Sequence, residues 1–199
     1  MPNLTPRSFP RLAQCDALSK TCVESHLRLY DGYVHKYNEL MAKRDSHLGR
    51  GPSALAGDLE GLKADITFAL GAVKNHELYF DILGPECGEP GAELMDAIAR
   101  SFHSLPQFLI DLRQTAMQTR GWAFTAYDLD HDTLFNYESG HNGLPVWNAV
   151  PILAIDLYGH AYFYDFGNNR GAYIEAIMKC LDWSRIRERF LTAKAFHRR

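Results

Sequence analysis

An aspartate and a histidine, Asp156 and His160, stand four positions apart in the last quarter of the chain. The apolar run 150–155 precedes them; it has the length of a strand, and only Pro151 interrupts it. A carboxylate at the end of a buried strand is costly unless it is paired or binds a cation. One helical turn returns position i+4 to the same side, so the two side chains can converge as metal donors. The spacing alone fits either a metal site or a simple Asp–His hydrogen bond.

Two further histidines fall on predicted helices that must bring them toward this pair. The first helix is expected from Ser19, a good N-cap residue, to about Lys43. Spacings of three and four place one set of its residues on a single face, namely Cys22, His26, Leu29, Tyr33, Tyr37 and Leu40. The second helix is expected over about 58–83, and its inward face carries Leu62, Ile66, Leu70, Val73, His76 and Phe80. Two antiparallel helices, each with one inward histidine, would make the first layer of a site.

The rest of the N-terminal half connects these helices. Residues 1–17 carry three prolines and are predicted to form an extended arm that lies on the domain. The stretch 45–57 holds three glycines and one proline, and it is predicted to be a loop. The segment 84–91 contains three glycines and two prolines, which is typical of a connection between domains. We therefore expect two domains, over residues 1–88 and 89–199.

The C-terminal half has a different character. Helices are expected over 93–102 and 105–120, followed by aromatic strands over 121–127 and 133–137 around a turn at 128–132. A third strand at 150–156, a closing helix at 174–190 and a basic tail at 192–199 complete the prediction. The fold class is therefore α+β: an N-terminal antiparallel helical hairpin, then a C-terminal domain with a small antiparallel β-sheet flanked by helices.

Composition narrows the possible functions. A net charge of −3 over 199 residues gives no reason to expect a nucleic-acid or anionic-membrane partner. No apolar run reaches the roughly 18 residues of a membrane span, and the first residues lack the apolar core of a signal peptide. The four cysteines show no C-x-x-C spacing, so reduced thiols in a cytoplasmic protein are expected rather than a cysteine metal site.

Residues 156–173, DLYGHAYFYDFGNNRGAY, resemble the C-terminal ligand motif of the iron/manganese superoxide dismutases. The resemblance extends to Asn75-His76, to Gly121-Trp122 and to Tyr33-Val34, in the family's order. It implies the fold described above, one iron or manganese ion per chain, and superoxide as the small-molecule substrate. The ligands that it implies are His26, His76, Asp156 and His160.

The first of these ligands does not fit the family's spacing. In the family the first histidine stands eight positions before the tyrosine of the Tyr-Val pair, and eight positions before Tyr33 is Ser25. His26 stands seven before it, and one step is about 100° around a helix. Either the helix re-aims His26, or the site has three protein ligands with Ser25 nearby. We favour His26.

The resemblance also implies residues around the metal. Tyr33 would guide protons, and His141 would donate a hydrogen bond to the solvent beside the metal, although a histidine in a Gly/Asn-rich turn is also explained as a loop residue. The aromatic and tyrosine residues expected to surround the ligands are Trp122, Tyr158, Tyr79, Phe80 and Tyr173.

Two departures bear on assembly and on the reaction. Gly159 replaces the glutamate that reaches across the family's dimer, and Leu29 replaces a histidine at the entrance. A homodimer would therefore have an altered interface. These changes leave a second hypothesis open, a mononuclear iron or manganese oxidase or oxygenase that acts on a small organic substrate. A third is a non-catalytic binding protein, which the costly Asp156 and its histidines argue against.

Overall fold

The structure, a computed structural model, describes residues 3–47, 56–85, 88–142 and 146–197. Its helices are α1 (Lys20–His47), α2 (Ala56–Asp81), α3 (Ala92–Phe102), α4 (Leu105–Gln118), α5 (Phe163–Phe166), α6 (Arg170–Lys179) and α7 (Trp183–His197). Its strands are β1 (Trp122–Asp128), β2 (Thr133–Ser139) and β3 (Ala149–Asp156), and short 3₁₀ turns lie at Leu12–Gln14 and Gly159–Ala161. The predicted α+β class is confirmed.

The N-terminal hairpin consists of α1 and α2. The hydroxyl of Ser19 accepts a hydrogen bond from the backbone N–H of Cys22 at 3.2 Å, as predicted for the N-cap of α1. Both helices extend further into the predicted loop 45–57 than expected, and residues 48–55 of that loop lie outside the described residues. The second helix ends at Asp81 because Leu83 forms an isolated β-bridge with Leu181.

A three-stranded antiparallel sheet with the order β2-β1-β3 forms the centre of the C-terminal half. The predicted hairpin turn is confirmed, since Asp128 pairs with Thr133 and residues 129–132 connect the two strands. A register shift in the β1–β3 ladder follows Thr125. At the far end of that ladder Trp122 pairs with Asp156, so one edge of the sheet presents both residues toward the hairpin.

The predicted closing helix over 174–190 is wrong, because the structure has two helices there, α6 and α7. Leu181 leaves the helical path to pair with Leu83. The side chain of Asp182 then accepts hydrogen bonds from the backbone N–H groups of Ser184 and Arg185, which begins α7. The predicted basic tail is also wrong up to His197, where α7 ends.

The N-terminal arm lies on the domain, as predicted. Asn38 of α1 exchanges two hydrogen bonds of 2.9 Å with the backbone of Leu4. Phe9 packs on Phe80 with ring centroids 5.2 Å apart. Arg11 forms an ion pair with the buried Asp182, so the arm contacts both halves of the chain. The domain boundary at residues 88–89 stays a prediction. Among the helices of the described residues, none combines the length and the apolar character that a membrane crossing requires.

Candidate metal centre

Four side chains meet where the hairpin faces the edge of the sheet. His26 comes from α1 and His76 from α2, Asp156 ends β3, and His160 lies in the 3₁₀ turn that follows. Each offers one donor atom, and all four atoms lie within 4.8 Å of one another. Separate parts of the fold thus bring together the four residues that the sequence had suggested as ligands.

The structure places His26, and not Ser25, in this group. The side chain of His26 is buried, and its Nε2 atom lies 3.2 Å from Oδ2 of Asp156. Residues 20–47 form an uninterrupted α-helix, so no bulge re-aims the side chain. Seven positions correspond to nearly two helical turns, which leaves His26 and Tyr33 on the same side of α1. Accordingly, the ring centroid of Tyr33 lies 5.4 Å from that of His76.

The donor atoms converge on a single carboxylate oxygen. Oδ2 of Asp156 lies 3.1 Å from Nε2 of His160 and 3.6 Å from Nε2 of His76. His160 makes a hydrogen bond to it, whereas the Nε2 atoms of His26 and His76 are buried without a hydrogen-bond partner. Buried polar atoms are rarely left unpaired, and a cation among the four donors would bind both nitrogens. The residues therefore fit a mononuclear metal ion.

The protonation of these groups suits metal binding. Burial lowers the pKa of His76 to about 4, and it also lowers the pKa of His26, so both imidazoles are neutral near pH 7. Burial alone would raise the pKa of Asp156, but the hydrogen bond with His160 and the close approach of His26 outweigh it and hold that pKa well below its usual range. Nδ1 of His76 donates to the carbonyl of Ala72 at 2.7 Å, which leaves the lone pair on Nε2.

Hydrogen bonds hold both the carboxylate and the backbone carbonyl of Asp156. Its Oδ1 atom accepts a hydrogen bond of 2.9 Å from the backbone N–H of Tyr158. The Tyr173 hydroxyl donates to the backbone carbonyl of Asp156 at 2.6 Å. Because that bond uses the only proton of Tyr173, the hydroxyl of Tyr79 must donate to Tyr173 across their 3.0 Å contact. The backbone N–H of Tyr158 thus orients the carboxylate, while Tyr173, supported by Tyr79, holds the backbone of Asp156.

Aromatic rings enclose the group on most sides. Trp122 meets His76 edge to face at 5.1 Å between centroids, and Phe80 lies 4.9 Å from His26. Tyr158 stacks on His160 at 5.5 Å with an interplanar angle of 15°. The side chain of His160 keeps 32% of its surface exposed, whereas the other three donor residues are buried. Access from solvent is therefore on the side of His160.

His141 and its neighbour Asn142 have opposite surroundings. The ring of His141 is exposed and contacts Phe68, with centroids 4.9 Å apart. The buried side chain of this turn belongs to Asn142, whose Oδ1 accepts a hydrogen bond of 2.7 Å from Nε1 of Trp122. Sequence reasoning missed Asn142. The sequence carries no signal for this burial, which depends on Gly71, where a Cβ atom would meet the carbonyl oxygen of Asn142.

Comparison with known proteins agrees with this geometry. Residues 90–189, half of the chain, match the family model of the C-terminal domain of iron/manganese superoxide dismutases. The chain is 33% identical over 193 residues to an iron superoxide dismutase of Aquifex pyrophilus, which covers 94% of this chain and 91% of the relative. The chain belongs to the iron/manganese superoxide dismutase family. A manganese superoxide dismutase of Halobacterium salinarum is 31% identical, over 81% of this chain and 80% of its own.

A relative named for iron and a relative named for manganese thus resemble this chain to a similar degree. Family membership therefore does not separate iron from manganese. The two departures noted in the sequence lie near the centre: Gly159 is exposed, with no atom within 4 Å of the position of a Cβ, and Leu29 is half-buried on α1.

Proposed function

We propose that the protein converts superoxide into oxygen and hydrogen peroxide at a single iron or manganese ion bound by His26, His76, Asp156 and His160. The observation that carries the proposal is the convergence of three imidazole nitrogens on one buried carboxylate oxygen, with two of the nitrogens left unpaired. The names of the related proteins support the reaction. Those names favour dismutation over the alternative of an oxidase or oxygenase.

An iron or manganese ion held by His26, His76, Asp156 and His160 would supply one-electron redox chemistry. The side chains supply the surroundings. His26 and His76 are neutral and Asp156 is ionised, so the carboxylate partly offsets the charge of a cation. Aromatic rings packed against His76 and His160 limit the access of water to the donor group.

Tyr33 is our candidate for proton delivery. Its ring packs against His76, and the side chain is half-buried. Burial, reinforced by the charge of Asp156, raises the pKa of Tyr33 above its ordinary value, so the phenol stays protonated at physiological pH. A protonated hydroxyl beside the ligands can donate a hydrogen bond to a bound anion and relay a proton from solvent.

The test is the rate of superoxide loss per bound metal ion, with metal content measured on the same sample. We expect fast loss from the native protein and from His35→Ala, a matched control because His35 is an exposed histidine of α1. We expect no metal-dependent loss from His76→Ala. A fully loaded protein with negligible turnover would refute dismutation, and the search would move to oxygen consumption with small organic substrates.

We propose further that the protein forms a homodimer through the surface around Gly159. Two large aromatic side chains near this glycine, Phe163 and Tyr164, are 61% and 67% exposed. Neighbouring exposed aromatic rings are typical of an interface. Sedimentation equilibrium of the native protein should give twice the monomer mass, and Phe163→Glu should give the monomer mass.

The free thiols support a cytoplasmic location. Cys15, Cys22 and Cys180 are buried and form no disulfide among the described residues. Thiols persist in reducing compartments. Fractionation of the cells that naturally produce the protein, with antibody detection of the protein in each fraction, would test this location.

A further inference from the structure

A cavity of about 310 Å³ lies between α2 and the β-sheet, apart from the metal centre. Ile66 and Leu70 border it from α2, Phe124 and Tyr137 border it from β1 and β2, and Pro151 borders it from β3. None of the four donor residues is among its described lining residues. The cavity is therefore a separate feature of the fold, and its walls are largely apolar.

The topology of the sheet explains why this space exists. Helix α2 packs against β3, which is one edge of the sheet, and the cavity lies beside it over β1 and β2. Phe124 pairs with Tyr137 across these two strands, so both rings lie on the same face. Their centroids are 5.1 Å apart with an interplanar angle of 20°. The sheet thus forms one wall of the cavity from two nearly parallel aromatic rings.

Three polar groups that border the cavity lack partners in the protein. Among the described residues, Lys74 forms no ion pair, and neither the side-chain amide of Asn75 nor the hydroxyl of Tyr137 has a hydrogen-bond partner. Asn75 and Tyr137 are half-buried, and polar groups in such positions usually find a partner in the protein or in a bound molecule. Together these groups offer one positive charge and two hydrogen-bond donors to an occupant of the cavity.

We propose that this cavity binds a small aromatic carboxylate of one or two rings. The ring system lies against Phe124 and Tyr137, where offset stacking between aromatic rings is favourable. The aliphatic side chains of Ile66 and Leu70 cover its opposite side. Its carboxylate meets the ammonium group of Lys74, and Asn75 donates a hydrogen bond to it. Apolar walls with a few polar groups that fix the orientation are typical of small-molecule sites.

Charge and volume narrow the class of ligand. No aspartate or glutamate is among the described lining residues, so a cationic ligand would meet the positive charge of Lys74 without any compensation. The volume lies at the lower end of the range for small-molecule pockets, which excludes a folded peptide or a long acyl chain. A compact anion with a flat apolar body fits both constraints.

The test is isothermal titration calorimetry of the full-length, metal-loaded protein with 2-naphthoate. We expect saturable binding of one molecule per chain with a Kd on the order of 10⁻⁴ M. The neutral analogue 2-naphthalenemethanol has the same rings without the charge, and it should bind about two- to fivefold more weakly. Octanoate has the charge without the rings, and it should also bind more weakly than 2-naphthoate.

Two variants assign the binding to this cavity. Lys74→Gln should remove the preference for 2-naphthoate over the neutral analogue, whereas Lys63→Gln should keep it. Lys63 is the matched control, since it is an exposed lysine of the same helix that stands about three turns from Lys74 and does not line the cavity. Leu70→Trp should fill the cavity and abolish the binding of both naphthalene compounds.

Several results would overturn the proposal. These are no saturable binding to the native protein, a preference for the carboxylate that survives Lys74→Gln, or octanoate binding as tight as that of 2-naphthoate. A halved molecular mass of Leu70→Trp in sedimentation, with no 2-naphthoate binding by the native protein, would assign the cavity to contact between copies of the chain. Because no superoxide is present in the titration, the result is independent of the proposed dismutation.

Discussion

The side-chain oxygen of Asn142 accepts a hydrogen bond from the indole N–H of Trp122 at 2.7 Å, and that indole packs edge to face on His76. A turn at the end of β2 thereby fixes a ring that contacts a donor residue. Asn142 is buried, whereas the adjacent His141 is exposed, so two neighbouring positions in one turn have opposite surroundings.

This contrast gives the first prediction. Asn142→Ala leaves the buried indole N–H of Trp122 without a partner, and we expect a loss of about 1–3 kcal/mol in the free energy of unfolding. His141→Ala should change it by less than about 0.5 kcal/mol, because exposed positions away from such contacts are tolerant. Urea titrations of both variants provide the measurement. Equal losses from the two substitutions would contradict the assignment of Asn142 as the buried partner.

The second prediction concerns the ligands. His76→Ala should abolish metal binding, and His26→Ala should do so nearly as completely, because each removes a buried nitrogen aimed at Asp156. Ser25→Ala, which alters the position next to His26, should bind a full complement of metal. Elemental analysis of the metal content of each purified variant distinguishes four protein ligands from three. Full loading of His26→Ala with unchanged metal spectra would show that the site has three protein ligands.

Sequence reasoning succeeded where the determining contacts are local. The turn at 128–132, the three strands and the N-cap at Ser19 follow from residues within a few positions of one another. The convergence of Asp156 and His160 follows likewise from one turn of chain. The spacing of seven between His26 and Tyr33 is also local, but nearly two full helical turns explain it without any re-aiming of the helix.

The failures involve contacts between distant parts of the chain. The apolar pattern over 174–190 predicts one helix, yet Leu181 pairs with Leu83, and that pairing interrupts the helix. Asn142 was missed because its burial depends on Trp122 in β1 and on the space above Gly71 in α2. No local sequence pattern indicates either of these contacts.

The third prediction tests the close approach of Gly71 to the backbone of Asn142. A Cβ atom on Gly71 would lie 2.1 Å from the carbonyl oxygen of Asn142, so the turn must move in Gly71→Ala. We expect a destabilisation of about 1–3 kcal/mol. Gly32→Ala is the matched control in α1, since no atom lies within 4 Å of its Cβ position, and it should stabilise by about 0.5–1 kcal/mol. The thermal unfolding midpoints of the two variants should shift in opposite directions. An unchanged midpoint in Gly71→Ala would refute the close approach of Gly71 to Asn142.

The fourth prediction concerns pH and Asp182. Burial would raise the pKa of this carboxyl, but hydrogen bonds from Ser184 and Arg185, with the charge of Arg11, hold it below its ordinary value. A lowered folded-state pKa gives stability that is present above the unfolded value of about 3.9 and is lost as pH falls through the folded value.

Asp182→Asn should therefore lower the free energy of unfolding by about 1–3 kcal/mol at pH 7, and by less as pH falls below about 4. Asp16→Asn, an exposed acid in the same region, is the control and should have little effect at either pH. Urea titrations at pH 7 and pH 3.5 compare the two variants. A loss that is the same at both values would mean that ionisation of Asp182 is not what stabilises the start of α7.

The four donors lie between residue 26 and residue 160, on elements from both halves of the chain. Closing so long a loop costs more entropy than forming the nearby helices and strands, so these donors meet late in folding. We therefore expect a metal ion to enter a site whose geometry is already set, and not to direct the assembly of that site. Since iron and manganese both accept nitrogen and carboxylate donors, we expect the supply of the two metals to decide between them. The iron-to-manganese ratio in purified protein should therefore follow the medium in which the producing cells were grown.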